Sequence, residues 1–265
     1  MFTNPTVSAI RKSLSVPEPT AGSRVLYIRV FHKLYPITKL HGKKLFGVWH
    51  QCILCHVTLW KAGVCHRDVS PPNMMWYEID GKLTSVFIDY DLSSLAEPGP
   101  QGNERTDTLP FMALDLLTKK GQRGEVKHQY HHDLESFVWC FAWISLRYKN
   151  GALRSARSRP FDEWANLAVE KCLVEKTAFQ FYHEAPARSH IDPLLWSLIE
   201  DCCYLLYKDS FHRRNPQYLL SKETGEKEKP TDTEETESDI DCLLQQFKDT
   251  KSWVALSKPS REPSL

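Results

Sequence analysis

The alternation of hydrophobic and polar positions predicts two helices with a strand hairpin between them. Apolar residues recur at intervals of three and four before residue 63, which predicts one buried face of a helix. The members of that face are Leu45, Val48, Cys52, Cys55 and Leu59. The segment "HDLESFVWCFAWISLRY" (132–148) is apolar on nearly every side, which is typical of a helix in the middle of a domain.

Between these helices the hydrophobic period changes to that of strands. "MMWYEI" (74–79) and "KLTSVFIDYD" (82–91) are separated by Asp80 and Gly81, and Asp-Gly supplies the positive φ angles that a tight hairpin turn needs. Elsewhere the pattern predicts a strand over "RVLYIRVF" (24–31), a short helix over "PFMALDLL" (110–117) and longer helices over 161–185 and 191–208.

Proline, glycine and charge divide the chain into three parts. Residues 1–24 contain several prolines and no sustained periodicity, so an irregular lead-in is expected there. Residues 25–220 carry the strong patterns and are expected to form one α+β domain. The stretch 222–241 is acidic and has no aromatic residue, so 221–265 are expected to be a disordered linker and tail, with at most a marginal helix at "CLLQQF".

Composition and charge exclude some classes of partner. The 265 residues are 42% hydrophobic and 25% charged, an ordinary globular composition. A formal net charge of +1 gives no bulk attraction to nucleic acid or to an anionic membrane, so neither is expected as a partner. Because no long apolar run and no signal-peptide pattern is seen, an intracellular location, cytoplasmic or nuclear, is expected. The sequence identifies no protein partner and no oligomeric state.

One short motif carries candidate chemistry. "HRDVSPPN" (66–73) fits H-R-D-x-x-x-x-N, the catalytic-loop pattern of protein kinases. In that chemistry the loop Asp orients and deprotonates a hydroxyl, while the loop Asn and a second Asp hold metal ions. Asp68 and Asn73 occupy the loop positions, and the second hairpin strand delivers Asp89 sixteen residues after Asn73.

Two further segments follow in the order that kinases require. "DTLPFMALD" (107–115) aligns without a gap to the pattern G-T-x-x-Y-x-A-P-E, sharing Thr108 and Ala113. "HHDLESF" then offers Asp133 at the start of the apolar helix. Four ordered matches at these spacings indicate kinase-like ancestry.

The chain resembles the fungal-type protein kinase family over about residues 25–215. The segments that carry the resemblance are "GVCHRDVSPPNMMW", "FIDYDLSSL", "ERTDTLPFMALDLL" and "HHDLESFVWCFAWI". The resemblance implies an α+β protein kinase-like fold, mainly the helical C-lobe with a small β-hairpin. It also implies ATP-dependent phosphoryl transfer to Ser or Thr of an unidentified protein substrate, with ATP and Mg²⁺ as cofactors.

The resemblance also assigns roles to residues. Asp68 would be the general base or substrate-orienting carboxylate, and Asn73 and Asp89 would be the Mg²⁺ ligands and the cofactor-binding residues. Arg67 would meet a phosphate or carboxylate of the activation segment, and Thr108 would line the substrate pocket and hydrogen-bond Asp68.

The same resemblance implies that Asp133 braces the loop backbone near His66.

Three departures from the kinase pattern bear on activity. Ser70 stands where most Ser/Thr kinases have a lysine that contacts the γ-phosphate, and Asp91 replaces the glycine of D-F-G. Only 23 residues precede the first predicted strand, and they contain no Gly-rich loop and no V-A-I-K motif, so the N-terminal lobe is expected to be largely absent.

Two alternative functions therefore stay open. The first is a catalytically inactive kinase-like binding module. The second is a small-molecule kinase of the aminoglycoside phosphotransferase type, against which the intact "DTLPFMALD" segment argues, since small-molecule kinases lack this platform for a substrate peptide.

Other eye-catching residues have simpler interpretations. The "CILCH" segment matches a haem attachment pattern, but Cys52 and Cys55 fall on the predicted apolar face, so core packing is expected. Trp49 and Trp60 are expected to be partly exposed. A group of potential metal ligands at the start of the second helix is interpreted as exposed histidines beside a capping Asp. Its members are His128, His131, His132 and Asp133.

Overall fold

The computed structural model describes residues 33–90, 109–182, 191–215 and 235–258, and the backbone of 94–95. The chain divides into two compact units, Met1–Leu34 and Tyr35–Leu265, and every element below belongs to the second. The predicted lead-in (1–24) and the predicted strand at 24–31 lie outside the described residues.

The second unit is mainly helical with small antiparallel sheets. Its helices are α1 (Gly42–Lys61), α2 (Leu114–Leu117), α3 (Lys119–Gln122), α4 (Tyr130–Arg147), α5 (Val169–Tyr182), α6 (Pro193–Arg214), α7 (Glu237–Lys248) and α8 (Lys251–Ser257). Its strands are β1 (Tyr35–Pro36), β2 (Val64–Cys65), β3 (Met74–Ile79), β4 (Lys82–Phe87), β5 (Ser94–Leu95), β6 (Tyr148–Lys149) and β7 (Ala152–Leu153). This mixture agrees with the α+β class expected from the sequence.

Helix α1 confirms the first predicted helix but corrects its buried face. Cys52 is fully buried, whereas Cys55 is exposed and only the former packs in the core. His56 takes a buried position that the apolar pattern did not include. Trp49 is also fully buried, contrary to the expectation of partial exposure, because its ring packs against Phe141 and Trp253; its indole Nε1 donates to the Phe137 carbonyl oxygen at 2.8 Å.

The predicted hairpin is confirmed in register and in its turn. Strand β3 pairs antiparallel with β4 along its full length, and β1 pairs with the start of β3. Asp80 and Gly81 form the turn with φ angles of 51° and 75°. The Gln51 side chain of α1 accepts from the Ser85 backbone N–H at 3.0 Å and donates to the Leu83 carbonyl at 3.3 Å, which fixes the hairpin to the helix.

Helix α4 lies in the middle of the fold, as its apolar composition predicts. Nearly all of its side chains are buried, and it contacts α1 on one side and α6 on another. Helices α5 and α6 also contact each other. The core of the described residues is therefore built around one helix that begins next to the candidate site.

The predicted disordered tail is wrong for residues 235–258. Residues 235–258 form α7 and α8, which pack on α6, and α8 also contacts α1. Their apolar residues follow the helical spacing and are buried; they are Ile240, Leu243, Leu244, Phe247, Trp253 and Leu256. Thr236 caps α7, where its hydroxyl accepts from the Asp239 N–H at 3.2 Å. The acidic composition of 222–241 concealed this short stripe; residues 216–234 lie outside the described part.

Among the described residues, no helix combines the length and apolarity that a membrane-spanning helix requires.

Candidate functional site

The loop from His66 to Asn73 joins β2 to β3 and ends in a 3-10 turn, Pro71–Asn73. Val69 and Ser70 are buried, and the thiol of Cys140 on α4 donates to the Val69 carbonyl oxygen at 3.6 Å. Helix α4, in the middle of the fold, therefore holds the loop at Val69.

Asp68 and Asn73 are in direct contact across this loop. The Asn73 Nδ2 group donates to the Asp68 carboxylate Oδ2 at 3.1 Å and to the Asp68 carbonyl oxygen at 3.0 Å. Asn73 is 5% exposed. The other carboxylate oxygen of Asp68, Oδ1, is buried and has no hydrogen-bond partner among the described residues. A buried oxygen of this kind is available to a hydroxyl or a cation.

His66 connects the loop to the end of the hairpin. Its Nε2 donates to the Ile88 carbonyl oxygen at 3.0 Å, and its Nδ1 accepts from the Asp68 N–H at 3.3 Å. Burial lowers the pKa of His66, so the ring is held neutral with the proton on Nε2. The ring stacks on Phe87, with centroids 4.1 Å apart.

Asp89 follows directly after this contact. The Ile88 N–H donates to the Asn73 carbonyl oxygen at 2.9 Å, so the segment bearing Asp89 lies beside the loop. Asp89 has a φ of 66° and an exposed side chain. Asp68, Asn73 and the Asp89 segment are thus brought together by main-chain and side-chain hydrogen bonds.

The other two predicted site residues of the loop, Arg67 and Ser70, differ in exposure. Arg67 is exposed, with a φ of 66°. A non-glycine residue in that left-handed region is uncommon. Here both Arg67, which follows His66, and Asp89, which follows the His66 partner Ile88, adopt it. Ser70 is 3% exposed and its carbonyl oxygen accepts from the Asn73 N–H at 3.1 Å, which starts the 3-10 turn. Thr108 and Asp91 lie outside the described residues.

A comparison with protein families matches this part of the chain. The family model described as fungal protein kinase matches residues 23–145, which include the loop, Asp89 and most of α4. Over these residues the chain is similar to the fungal protein kinase family. The match supports a protein kinase-like domain, so the loop geometry can be interpreted in terms of kinase chemistry.

Asp133 on α4 has a different contact from the one expected. Its two carboxylate oxygens accept from His56 Nε2 at 2.9 Å and His128 Nε2 at 2.7 Å, so Asp133 braces two imidazoles, not the loop backbone near His66. Burial alone would raise the pKa of Asp133, but the two histidines outweigh it and hold the pKa well below its usual range. Helix α4 is capped by Gln129, not by Asp133.

The expectation of exposed histidines at the start of α4 is also wrong. His131 is 3% and His132 is 2% exposed. The His132 Nδ1 accepts from the Gln129 N–H at 3.0 Å as part of the helix cap, and His131 Nδ1 lies 3.2 Å from Glu235 Oε1. The polar groups of these rings therefore complete the helix start and attach residue 235 to it.

One group of side chains has the composition of a metal site. Asp115, His131 and His132 bring ligand atoms within 4.8 Å of one another. However, Asp115 is paired with Arg214, and because His132 Nδ1 accepts a hydrogen bond, the proton of its neutral ring is on Nε2. These atoms are engaged in structural contacts, so the group does not provide a complete cation site.

The segment Leu109–Leu117, here called the platform, is attached to the helices by two buried charged residues that the sequence did not single out. Glu135 Oε1 accepts from the Leu114 N–H at 2.8 Å and from Trp139 Nε1 at 2.9 Å. Lys176 on α5 donates to the Met112 carbonyl oxygen. Burial lowers the pKa of Lys176 to about 8, although Glu135 opposes the shift, and burial raises the pKa of Glu135.

Sequence reasoning missed these residues for different reasons. His56 falls four positions after Cys52 on the predicted helix, so its place on the buried face could have been found from the period alone. Lys176 offers no such signal, because a lone lysine in a helix is usually exposed.

Proposed function

We propose that this chain carries a protein kinase-like domain that transfers a phosphoryl group from ATP to a Ser or Thr hydroxyl of a protein. The proposed fold is the kinase-like α+β architecture, represented by its helical C-lobe with the β3–β4 hairpin. The observation that supports it most is the Asp68–Asn73 contact, which leaves the buried Oδ1 of Asp68 without a partner beside the Asp89 segment.

In this proposal Asp68 accepts the proton of the substrate hydroxyl. The Asn73 amide fixes one carboxylate oxygen of Asp68, so the other is directed by a rigid group. Positioning of this kind is the main contribution of protein to phosphoryl transfer, because the transition state needs orientation and charge stabilisation more than covalent chemistry.

The residues fit the cation that such a reaction uses. Asn73 donates through its nitrogen, which leaves its side-chain oxygen for a ligand, and Asp89 offers an exposed carboxylate. Oxygen donors of this type are the ones that Mg²⁺ prefers. Asn73 and Asp89 would hold Mg²⁺, which neutralises charge on the ATP phosphates when it is bound. The buried, unpartnered Oδ1 of Asp68 is consistent with a site completed by ligands.

Arg67 and Ser70 have supporting roles in the proposal. Arg67 has an exposed guanidinium and would bind a phosphate or carboxylate of the activation segment. Ser70 is small and buried, and it sets the turn that places Asn73. Thr108 remains a prediction from the family resemblance, with the substrate pocket as its place.

The platform favours a protein substrate over a small molecule. Its backbone is held at Leu114 by Glu135 and at Met112 by Lys176, so a peptide laid against it would meet an ordered main chain. Phe111 packs edge-on against Trp143 with centroids 5.2 Å apart, which supports the platform from beneath.

Two measurements test the proposal on the full chain. Thermal unfolding with and without Mg-ATP should show stabilisation in the wild type that is lost in Asp89→Asn but kept in Asp80→Asn, a matched carboxylate at the exposed hairpin turn. Transfer of radiolabelled γ-phosphate to a set of Ser- and Thr-containing peptides should be reduced by at least about a thousandfold in Asp68→Asn. Stabilisation without transfer, or neither effect, would favour the inactive binding module.

A further inference from the structure

A cavity of about 460 Å³ opens between α5 and the segment 156–167, away from Asp68 and Asn73. Its volume lies in the range of ligand-binding pockets. Its lining is mainly aromatic and charged, and the residues that matter here are Phe161, Trp164, Phe179, Tyr182, Glu163 and Glu175.

The aromatic wall is tightly organised. Phe161 stacks on Trp164 with centroids 4.1 Å apart and meets Phe179 edge-on at 5.0 Å. Phe161 has a φ of 67°, a conformation that is unfavourable for a bulky side chain. A residue held in that conformation at the wall of a cavity indicates that the surrounding contacts specify its position.

The charges of the lining are unbalanced in favour of carboxylates. Arg159 pairs with Asp162, with both nitrogen–oxygen distances at 2.6 Å, and Asp162 also pairs with Arg147 Nη1 at 2.5 Å. Glu163 and Glu175 are exposed, and neither side chain has an ion-pair partner in the part of the chain that the structure describes. The cavity therefore presents two negative charges beside aromatic rings.

The same aromatic cluster already receives cations from inside the protein. The Arg147 guanidinium lies 3.7 Å from the Trp143 ring centroid, and Lys176 Nζ lies 4.5 Å from Trp139 and 6.0 Å from Trp164. Ring faces attract cations electrostatically, most strongly where water is excluded. Trp164, one of the rings near Lys176, also lines the cavity.

We propose that this cavity binds an arginine side chain of a partner polypeptide. A guanidinium is planar, weakly hydrated and able to stack on an aromatic face while it donates two parallel hydrogen bonds to a carboxylate. The guanidinium would stack on the exposed ring of Tyr182 beside the aromatic wall, and Glu163 and Glu175 would accept its hydrogen bonds. A lysine would satisfy the charge but not the stacking, so arginine is the preferred occupant.

The proposal goes beyond phosphoryl transfer but has a connection to the platform. Trp143 contacts Phe111 of the platform at 5.2 Å and Phe161 of the cavity wall at 6.2 Å. One tryptophan thus packs under both surfaces. A polypeptide that places an arginine in the cavity would bind near the platform.

The test uses the full chain and fluorescein-labelled Gly-Ser peptides that carry arginine, lysine or citrulline at the same positions, with binding followed by fluorescence anisotropy. Citrulline keeps the shape of arginine and removes its charge. The arginine peptide should bind tightest and the citrulline peptide at least about tenfold more weakly. The double variant Glu163→Gln, Glu175→Gln should weaken arginine-peptide binding about tenfold, and Tyr182→Ala should also weaken it.

The matched control is Glu170→Gln, an exposed carboxylate on α5 that does not line the cavity. This control should bind the arginine peptide as the wild type does. Equal binding of the arginine and citrulline peptides, or equal weakening by Glu170→Gln and the double variant, would overturn the proposal. Asp68→Asn should keep full peptide binding, so a failure of the kinase proposal is distinguishable from a failure of this one.

Discussion

The side-chain amide of Asn73 donates to the carboxylate of Asp68 at 3.1 Å, and the backbone carbonyl oxygen of Asn73 accepts from the Ile88 N–H at 2.9 Å. One buried residue therefore connects the proposed general base to the segment that bears Asp89. Both connections depend on the position of Asn73, which is set by the short 3-10 turn that begins after Ser70.

Replacing Asn73 by Ala should leave the Asp68 carboxylate without the side chain that positions it. The substitution removes two hydrogen bonds to Asp68 and leaves a small void at a buried position, so unfolding in urea should show a loss of about 1–3 kcal/mol. Phosphoryl transfer, if the proposed function holds, should fall by more than about a hundredfold. Asn73→Asp is the informative companion, because it keeps an oxygen ligand, removes the donors and places a second carboxylate against Asp68. Wild-type transfer in Asn73→Ala would contradict the proposed positioning role.

Asp133 should be a major contributor to stability. It is buried and bonded to His56 and His128, and breaking a buried pair of this kind by removal of one partner is strongly destabilising. Asp133→Asn should lower the free energy of unfolding by about 2–4 kcal/mol at pH 7.

The control for Asp133 is Asp241→Asn, which removes the more exposed ion pair with Lys61 and should cost less than about 1 kcal/mol. Because the pKa of Asp133 is lowered in the folded state, its contribution is present above the unfolded value of 3.8 and is lost as the pH falls below it. An equal effect of the two substitutions, measured by urea unfolding, would show that the buried pair is not special.

Much of the scaffold could be predicted from local patterns. The β3–β4 hairpin follows from two strand-like segments around Asp80 and Gly81, and the burial of α4 follows from its apolar composition. The loop motif placed Asp68 and Asn73 in one short loop, although the hydrogen bond between them was not predicted. These features depend on short-range information, which sequence reasoning handles well.

The features that were missed depend on contacts between distant parts of the chain. Asp133 meets His56 across 77 residues, and Lys176 meets Met112 across 64. Nothing local indicates that a histidine on one helix will hydrogen-bond a carboxylate on another. The tail was misjudged for a related reason, because the burial of Trp253 requires a surface formed by Phe46 and Trp49 some two hundred residues earlier.

His50 should make the docking of the C-terminal helices sensitive to acid. Burial, with a smaller contribution from Lys248, lowers the pKa of His50 to about 4, and the ring packs edge-on against Trp253 at 4.9 Å. A lowered histidine pKa means that the unfolded chain binds a proton between pH 6.5 and 4 while the folded chain does not. Stability should therefore fall as the pH drops through that window, by at most about 1.4 kcal/mol for each pH unit.

The measurement is the free energy of unfolding of wild type and His50→Gln at several pH values between 7 and 4. The variant should show a flatter dependence on pH. His41→Gln, an exposed histidine before α1, is the matched control and should follow the wild type. Parallel curves for wild type and His50→Gln would rule out this role.

Lys176 should hold the platform in place. Lys176→Met removes the donor to the Met112 carbonyl and leaves Glu135 without its nearby positive charge, so a loss of about 2–4 kcal/mol is expected at pH 7. Lys171→Met, an exposed lysine on the same helix, should change stability by less than about 0.5 kcal/mol.

The pH dependence gives Lys176 a second signature. Because its folded pKa is lowered to about 8, the unfolded chain holds a proton between pH 8 and 10.5 that the folded chain has lost. Wild-type stability relative to Lys176→Met should therefore rise as the pH increases through that window. A constant difference between the two proteins would indicate that Lys176 is not titrating in the folded state.

Trp253 should decide whether α7 and α8 are part of the folded unit. Its ring is 3% exposed and contacts Phe46 edge-on at 5.1 Å and Trp49 at 5.5 Å, so α8 completes the core around α1. Trp253→Ala should cost about 3–5 kcal/mol by removal of a large buried side chain. Val254→Ala alters an exposed neighbour and should cost less than about 1 kcal/mol.

Because α8 contacts both α1 and α6, the loss should appear as one cooperative shift in urea unfolding monitored by circular dichroism. A separate early transition that leaves the main unfolding midpoint unchanged would instead mean that the two C-terminal helices are an independent attachment, and that the core around α1 is stable without them.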